Sequence, residues 1–339
     1  MLIRSKAPLR LGLAGGGTDV SPYSDLYGGN ILNITISLYA HATIEVLGHD
    51  EIELIAYDRN EEARYALQDS LPLDGRLDLA KGVYNRVCRD YGKPACGFRL
   101  STFVDAPAGS GLGSSSTLVV AIIGAFCEWL NIPLGEYDIA QYAYDIERGD
   151  LKMEGGKQDQ YAATFGGVNF MEFYADNKVI VNPLKVKDYR LAELENNLLL
   201  FYTKTSRVSS EIIRAQSRNV INKNEDSITA MHHLKEQAQS MKEALLKGDI
   251  DTIGEILDYG FQQKKRMAQG ISNPMIEDIY TLAREAGATG GKISGAGGGG
   301  FMMFYCPGTT KYAVSKALES YGFIQKFHFE QDGLKTWVM

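Results

Sequence analysis

The sequence predicts an α+β protein of two domains, and three observations carry that reading. The chain has 339 residues, and at about 100–200 residues per domain two domains fit better than one or three. Its first half runs in long β-like stretches with helices between them, while after about residue 190 the pattern turns helical and strands return only late. The composition suits packed domains: 45% of residues are hydrophobic and 23% charged, so neither a disordered chain nor a fibrous repeat is expected. The expected division is 1–190 and 191–339.

Residues 2–13 alternate as a strand and run into a glycine-rich turn. Ile31, Ile34, Ile36, Ile44 and Val46, set among threonines, mark 30–47 as β, and 51–57 reads as another strand. A helix is expected over 79–91 and a strand over 97–104. In 118–130, Leu118, Ile122, Phe126 and Trp129 recur at helical spacing and define one face. A second helix, 134–148, follows Pro133. Beyond the boundary come a strand at 198–202 and helices near 208–215, 227–247, 250–268 and 273–286. Met231, Leu234, Ala238, Met241 and Leu245 form the core stripe of one of these. Strands near 301–305 and 327–329 close the chain.

Bulk properties exclude several roles. A net charge of −7 gives no overall positive field for nucleic acid or anionic membrane. The four cysteines form no C-x-x-C pair and read as reduced thiols. Residues 1–10 lack the hydrophobic core of a signal peptide, and the longest apolar run, 118–127, is half a membrane span. The expectation is a cytoplasmic protein, monomer or homodimer, with small-molecule partners.

Glycine is in excess: 36 residues against about 24 at the usual ~7% usage. Many fall in three clusters, at 12–17, 109–113 and 290–300. Clustered glycine costs backbone entropy, so positive φ or close backbone approach is expected there.

The middle cluster, Pro107-Ala-Gly109-Ser110-Gly111-Leu112-Gly113-Ser114-Ser115-Ser116-Thr117, opens a predicted helix. Its glycines let amides converge on an anion, and the helix N-terminus adds unpaired donors. A serine N-cap without ligand is the bland alternative. Neither the Walker A spacing nor the G-x-G-x-x-G dinucleotide fingerprint is satisfied. The first cluster places Arg10 before Gly15-Gly16-Gly17-Thr18-Asp19, where Asp19 could accept from a polyol or simply cap a turn. The third, Gly290–Gly300, carries four successive glycines before a strand. A fourth segment, Gly155-Gly156-Lys157-Gln158-Asp159, sets an aspartate in a glycine-bounded stretch.

In order, these segments resemble the motifs of the GHMP kinases, the family named for galactokinase, homoserine kinase, mevalonate kinase and phosphomevalonate kinase. The 107–115 loop matches the family's phosphate loop. Gly295-Ala-Gly297-Gly-Gly-Gly300 matches its C-terminal motif, and the step from Arg10 to Asp19 its sugar-1-kinase motif. The Ala-Gly-Gly-Gly-Thr-Asp form at 14–19 is similar to the branch acting on D-glycero-D-manno-heptose 7-phosphate. The resemblance covers nearly the whole chain.

It implies an N-terminal ATP-binding domain of the ribosomal-protein-S5-like α/β kind. A ferredoxin-like, helix-rich C-terminal domain would follow, with the active site between the two. It implies ATP and Mg²⁺ as cofactors. Pro107 and Gly109 to Ser116 would wrap the ATP phosphates, and Ser115 and Glu147 would hold Mg²⁺. Asp159 would be the catalytic base, with Arg10 beside the attacking oxygen. Gly16, Gly17, Thr18, Asp19, Gly156, Arg207 and Gly297 would bind the substrate. The implied reaction phosphorylates the anomeric C1 of the heptose 7-phosphate to the 1,7-bisphosphate, for GDP-heptose and surface polysaccharide. A 1-kinase for a non-phosphorylated sugar, fucokinase- or galactokinase-like, is the alternative. A distal phosphate needs a cationic pocket, for which Lys204, Arg207 and Lys157 are the candidates.

Overall fold

In the computed structural model, which describes residues 1–205 and 209–339, the first sheet begins with β1 (Leu2–Ala14) and β2 (Gly29–Val46). These two pair antiparallel along nearly their whole length, with register shifts after Pro8 and Gly12. β3 (Glu51–Ala56), β4 (Glu61–Ala66) and β5 (Phe98–Val104) extend the sheet beyond the second half of β2. β6 (Val168–Phe173) and β7 (Val179–Pro183) extend it beyond the first half. Alternation is clean where β2 meets β5: Ala40, Ala42 and Ile44 are buried while their neighbours are partly open. Residues 31–36 are buried throughout. The Ser114–Leu130 and Glu225–Lys247 helices both pack on this strand.

The Ser114–Leu130 helix departs from the single apolar face that its spacing suggests. Val119 to Ile123, Ala125 and Phe126 are all buried, while Leu118 and Trp129 are only partly so. It lies against β1 and β2 and is flanked by the Asp78–Tyr91, Glu136–Tyr144 and Gln158–Phe165 helices. A helix apolar all round belongs inside a domain. The expected 134–148 helix is instead an α-helix over Glu136–Tyr144 followed by a π-helical turn over Asp145–Asp150. That widened turn presents Glu147, and such bulges recur at functional sites.

The second sheet holds β8 (Leu198–Tyr202), β9 (Gly290–Ile293), β10 (Phe301–Tyr305) and β11 (Phe323–Gln325). Its order is β11-β8-β10-β9, all antiparallel. With the long helices between β8 and β9 and the Lys311–Leu318 helix between β10 and β11, this is the ferredoxin-like arrangement. The Met231, Leu234, Ala238, Met241 and Leu245 stripe is fully buried. The Pro274–Glu285 helix starts with Pro at its first turn and Asn273 as cap, whose side chain accepts from the Ile276 amide at 3.1 Å.

A strand at 327–329 does not form. Phe329 makes only an isolated bridge to Ile36, and the last strand, β12 (Lys335–Val338), pairs antiparallel with β1. The C-terminus thus returns to the first sheet. No helix among the described residues is long and apolar enough to cross a membrane.

Candidate active site

Two of the glycine loops are locked face to face. Gly111 has φ +83° and Gly295 φ +64°; a Cβ on Gly295 would lie 2.6 Å from the Gly111 Cα. Ser294 Oγ donates to the Gly111 carbonyl at 2.8 Å, and the Phe301 amide to that of Ser110 at 2.9 Å. The third loop therefore buttresses the phosphate loop, as the cost of its glycines leads one to expect.

The phosphate loop ends at Gly113, a left-handed residue that caps the Ser114–Leu130 helix without any side-chain hydrogen bond. The serine cap considered from the sequence is absent, and the first-turn amides are left for an anion. Gly109, Gly111, Gly113, Ser114, Ser115 and Ser116 line a cleft of about 470 Å³. Pro107 is exposed and off the cleft. Ser110 is buried, and the Leu112 side chain belongs to the hydrophobic core.

Arg10, Asp19, Gly17, Glu147, Gly156 and Asp159 line the same cleft. Arg10 lies on β1 and is 3% exposed. Its Nε and Nη2 both donate to Asp159 Oδ1, at 2.7 and 2.6 Å, and its Nη1 donates to the Gly111 carbonyl at 2.6 Å. One guanidinium thus ties the carboxylate to the phosphate loop. Asp159 Oδ2 accepts no hydrogen bond among the described residues and lies 3.2 Å from where a Gly113 Cβ would stand.

Asp19 is 2% exposed, and its Oδ2 accepts from the Lys157 and Gln158 amides at 2.9 and 3.0 Å. Burial pushes its carboxyl up; the Gln158 amide opposes this and nearby Asp159 adds to it. Gly156 is required beside it, because a Cβ there would sit 1.9 Å from Asp19 Oδ2.

Glu147 is 1% exposed. Its carboxylate accepts from Ser116 Oγ at 3.0 Å and from Gln160 Nε2. Burial pushes this carboxyl up, opposed first by Arg148. Ser116 makes the contact with Glu147, while Ser115, the serine expected to reach Mg²⁺, is exposed on the cleft wall. A buried carboxylate with hydroxyls at a phosphate loop suits Mg²⁺, which binds through one or two carboxylates plus phosphates.

Other expected substrate contacts lie elsewhere. Thr18 Oγ1 is committed to the Gly15 and Asn30 carbonyls at 2.8 and 2.9 Å. Gly16 and Gly297 are buried off the cleft, Gly297 against Ile271. Lys157 Nζ points toward Asp25 Oδ1 at 3.7 Å and lies 5.5 Å from the Tyr144 ring centroid. Lys204 is exposed, and Arg207 lies outside the described residues.

The sequence reading missed two buried cations, Lys264 and Lys292, 5% and 6% exposed. Lys264 lines the cleft and donates to the Gly295 carbonyl; Lys292 donates to that of Gly12 at 2.5 Å. A signal for Lys264 exists: it falls in phase with Leu257, Phe261 and Ala268, an apolar stripe.

Comparison with known proteins settles the family. The model of the GHMP kinases N terminal domain matches residues 78–167, and that of the GHMP kinases C terminal matches residues 241–323. The chain is also 48% identical to D-glycero-alpha-D-manno-heptose 7-phosphate kinase of Campylobacter jejuni, over 99% of this chain and 98% of that protein.

The chain is a GHMP kinase.

It is therefore a phosphotransferase, and ATP is the family's phosphate donor. A crystal structure described as a D-glycero-D-manno-heptose 1-phosphate kinase from Bacteriodes thetaiotaomicron is 47% identical. It superposes with a TM-score of 0.86 over 99% of both chains. These two names place the substrate's phosphate on different carbons. The galactokinase of Lactococcus lactis, at 17% identity, shares the fold over 100% of this chain and 95% of that one, with a TM-score of 0.77. Beside these relatives, the kinase has the expected two-domain GHMP architecture.

Proposed function

We propose that this kinase transfers the γ-phosphoryl group of ATP to the anomeric C1 hydroxyl of D-glycero-D-manno-heptose 7-phosphate. The observation that carries the reading is the Arg10–Asp159 pair, held at the phosphate loop with one carboxylate oxygen open. Kinship at 48% identity to a heptose 7-phosphate kinase supports the substrate.

Phosphoryl transfer depends on positioning and charge neutralisation more than on covalent chemistry. The amides of the phosphate loop and of the helix start receive the triphosphate. Glu147, with Ser115 or Ser116, would hold Mg²⁺, which offsets phosphate charge when bound. Asp19, fixed by two amides, accepts hydrogen bonds from sugar hydroxyls. Asp159 Oδ2 takes the proton of the C1 hydroxyl, or orients it, while Arg10 stabilises the charge that develops on that oxygen. The product is the 1,7-bisphosphate, an intermediate suited to nucleotide-activated heptose synthesis in the cytoplasm.

A coupled ATP-consumption assay over aldoses and aldose phosphates tests this. The heptose 7-phosphate is expected to give the highest kcat/KM. Turnover favouring an unphosphorylated sugar would replace this reading with the fucokinase- or galactokinase-like one.

A further inference from the structure

Buried positive charge exceeds buried negative charge on the sugar side of the cleft. Arg10, Lys264 and Lys292 are each at most 6% exposed, against the buried Asp19 and the partly exposed, Arg10-bound Asp159. Neither lysine has a carboxylate within ion-pair distance among the described residues. Each uses one ammonium donor, on a carbonyl, of the three it carries. Burial of an ammonium without a counter-ion is costly, so the arrangement is one that an anion completes. The two ammonium groups are neighbours over the Gly16 backbone, where a Cβ would stand 3.6 Å from Lys264 Nζ and 3.8 Å from Lys292 Nζ, and Lys264 is the one that lines the cleft. Lys264 therefore hangs from the second domain over the turn that carries Asp19, beside the buttressing loop of Gly295.

We propose that Lys264, backed by Lys292, is the specificity-determining contact for the substrate's own phosphate, the one distant from the reacting C1. This rests on the function proposed above. Of the other cations near the cleft, Lys152 is exposed on its wall and Lys157 lies off it. Arg148 donates to the Gly156 carbonyl at 3.2 Å, Arg214 pairs with Glu154 at 3.0 Å, and Lys157 turns toward Asp25. The transferred phosphoryl group is a second source of the same dianion. It already has the loop amides, the helix start and Arg10, whereas a distal phosphate has no other buried cation lining the cleft.

The test is steady-state kinetics of the wild type, Lys264→Met and Lys264→Arg on heptose 7-phosphate and on unphosphorylated heptose, with thermal melting as a check on folding. Lys264→Met is expected to lose about 10- to 100-fold in kcat/KM on the phosphorylated sugar. That loss appears mainly in KM and is at least about tenfold heavier than on heptose, with partial rescue by arginine. Equal losses on both sugars would assign Lys264 to the transferred phosphoryl group and overturn the proposal. So would kinetics like the wild type's. A wild type indifferent to the sugar's phosphate would instead overturn the function on which the proposal rests, so the two failures are distinguishable.

Discussion

Asp159 has the most exposed consequence of any single residue. Replacing it with asparagine keeps the side chain's shape and a partner for Arg10 but removes the base. Asp159→Asn is expected to lower kcat by at least about 10²-fold, the scale of general-base losses, with little change in melting temperature because the group is partly exposed. Turnover near the wild type's in the folded variant would contradict the role. Lys264 makes a prediction in pH. Burial, and then Arg10, lower its ammonium to about 8, against a smaller opposing effect of Asp19; Lys292 packs beside it. A lysine is charged below its pKa, so kcat/KM for the phosphorylated sugar should fall as pH rises through about 8, and Lys264→Met should lack that limb. Arg10, Asp19 and Asp159 stand in or beside glycine-bounded segments that drew notice in the sequence, the family resemblance supplied a role for each, and the structure brings all three to one cleft. Lys264 was not legible, because Lys264-Lys265-Arg266 reads as a solvated charge run unless helix phase is tracked.

Among the elements, the phosphate loop depends on backbone contact that only glycine permits. Gly111→Ala would set a Cβ 2.7 Å from the Ser294 carbonyl oxygen at a φ of +83°. Strain of this kind costs about 1–3 kcal/mol. A lower melting temperature and a raised KM for ATP are expected together. A fall in stability without any effect on ATP would show that the buttress does not shape the nucleotide site. The glycine excess predicted this contact, since three separated clusters without a ligand or a close approach make little physical sense. Two finer features were not legible. Four hydroxyl residues in a row gave no sign that Ser116, and not Ser115, would turn inward to Glu147. Nor did the apolar pattern over 134–148 reveal the π-turn, which changes the hydrogen-bond step without changing which residues are hydrophobic.

At the scale of the whole molecule, the chain's last strand completes its first sheet. β12 pairs with β1 from Ile3↔Val338 to Lys6↔Lys335, and Thr336 donates to Glu128 at 2.7 Å. Removing residues 335–339 should lower the melting temperature by about 2–5 °C, at roughly 1–2 °C per kcal/mol for a chain of 339 residues. An unchanged melting curve would mean that the strand adds nothing to the edge it covers. This return was invisible in the sequence because β12 is short and mostly exposed, so no apolar run marks it. The ferredoxin-like sheet was more readable, since 198–202 and 301–305 are buried runs bounded by turns.

The same architecture that joins the two sheets also brings Arg10, Asp159 and the phosphate loop together, and the central claim is that this constellation phosphorylates C1. Phosphorus–proton correlation NMR of the product made from ATP and D-glycero-D-manno-heptose 7-phosphate tests it most directly. The expected result is a bisphosphate whose new phosphorus couples to the anomeric proton. A new phosphorus coupled to any other sugar proton, or no product at all, would contradict the account.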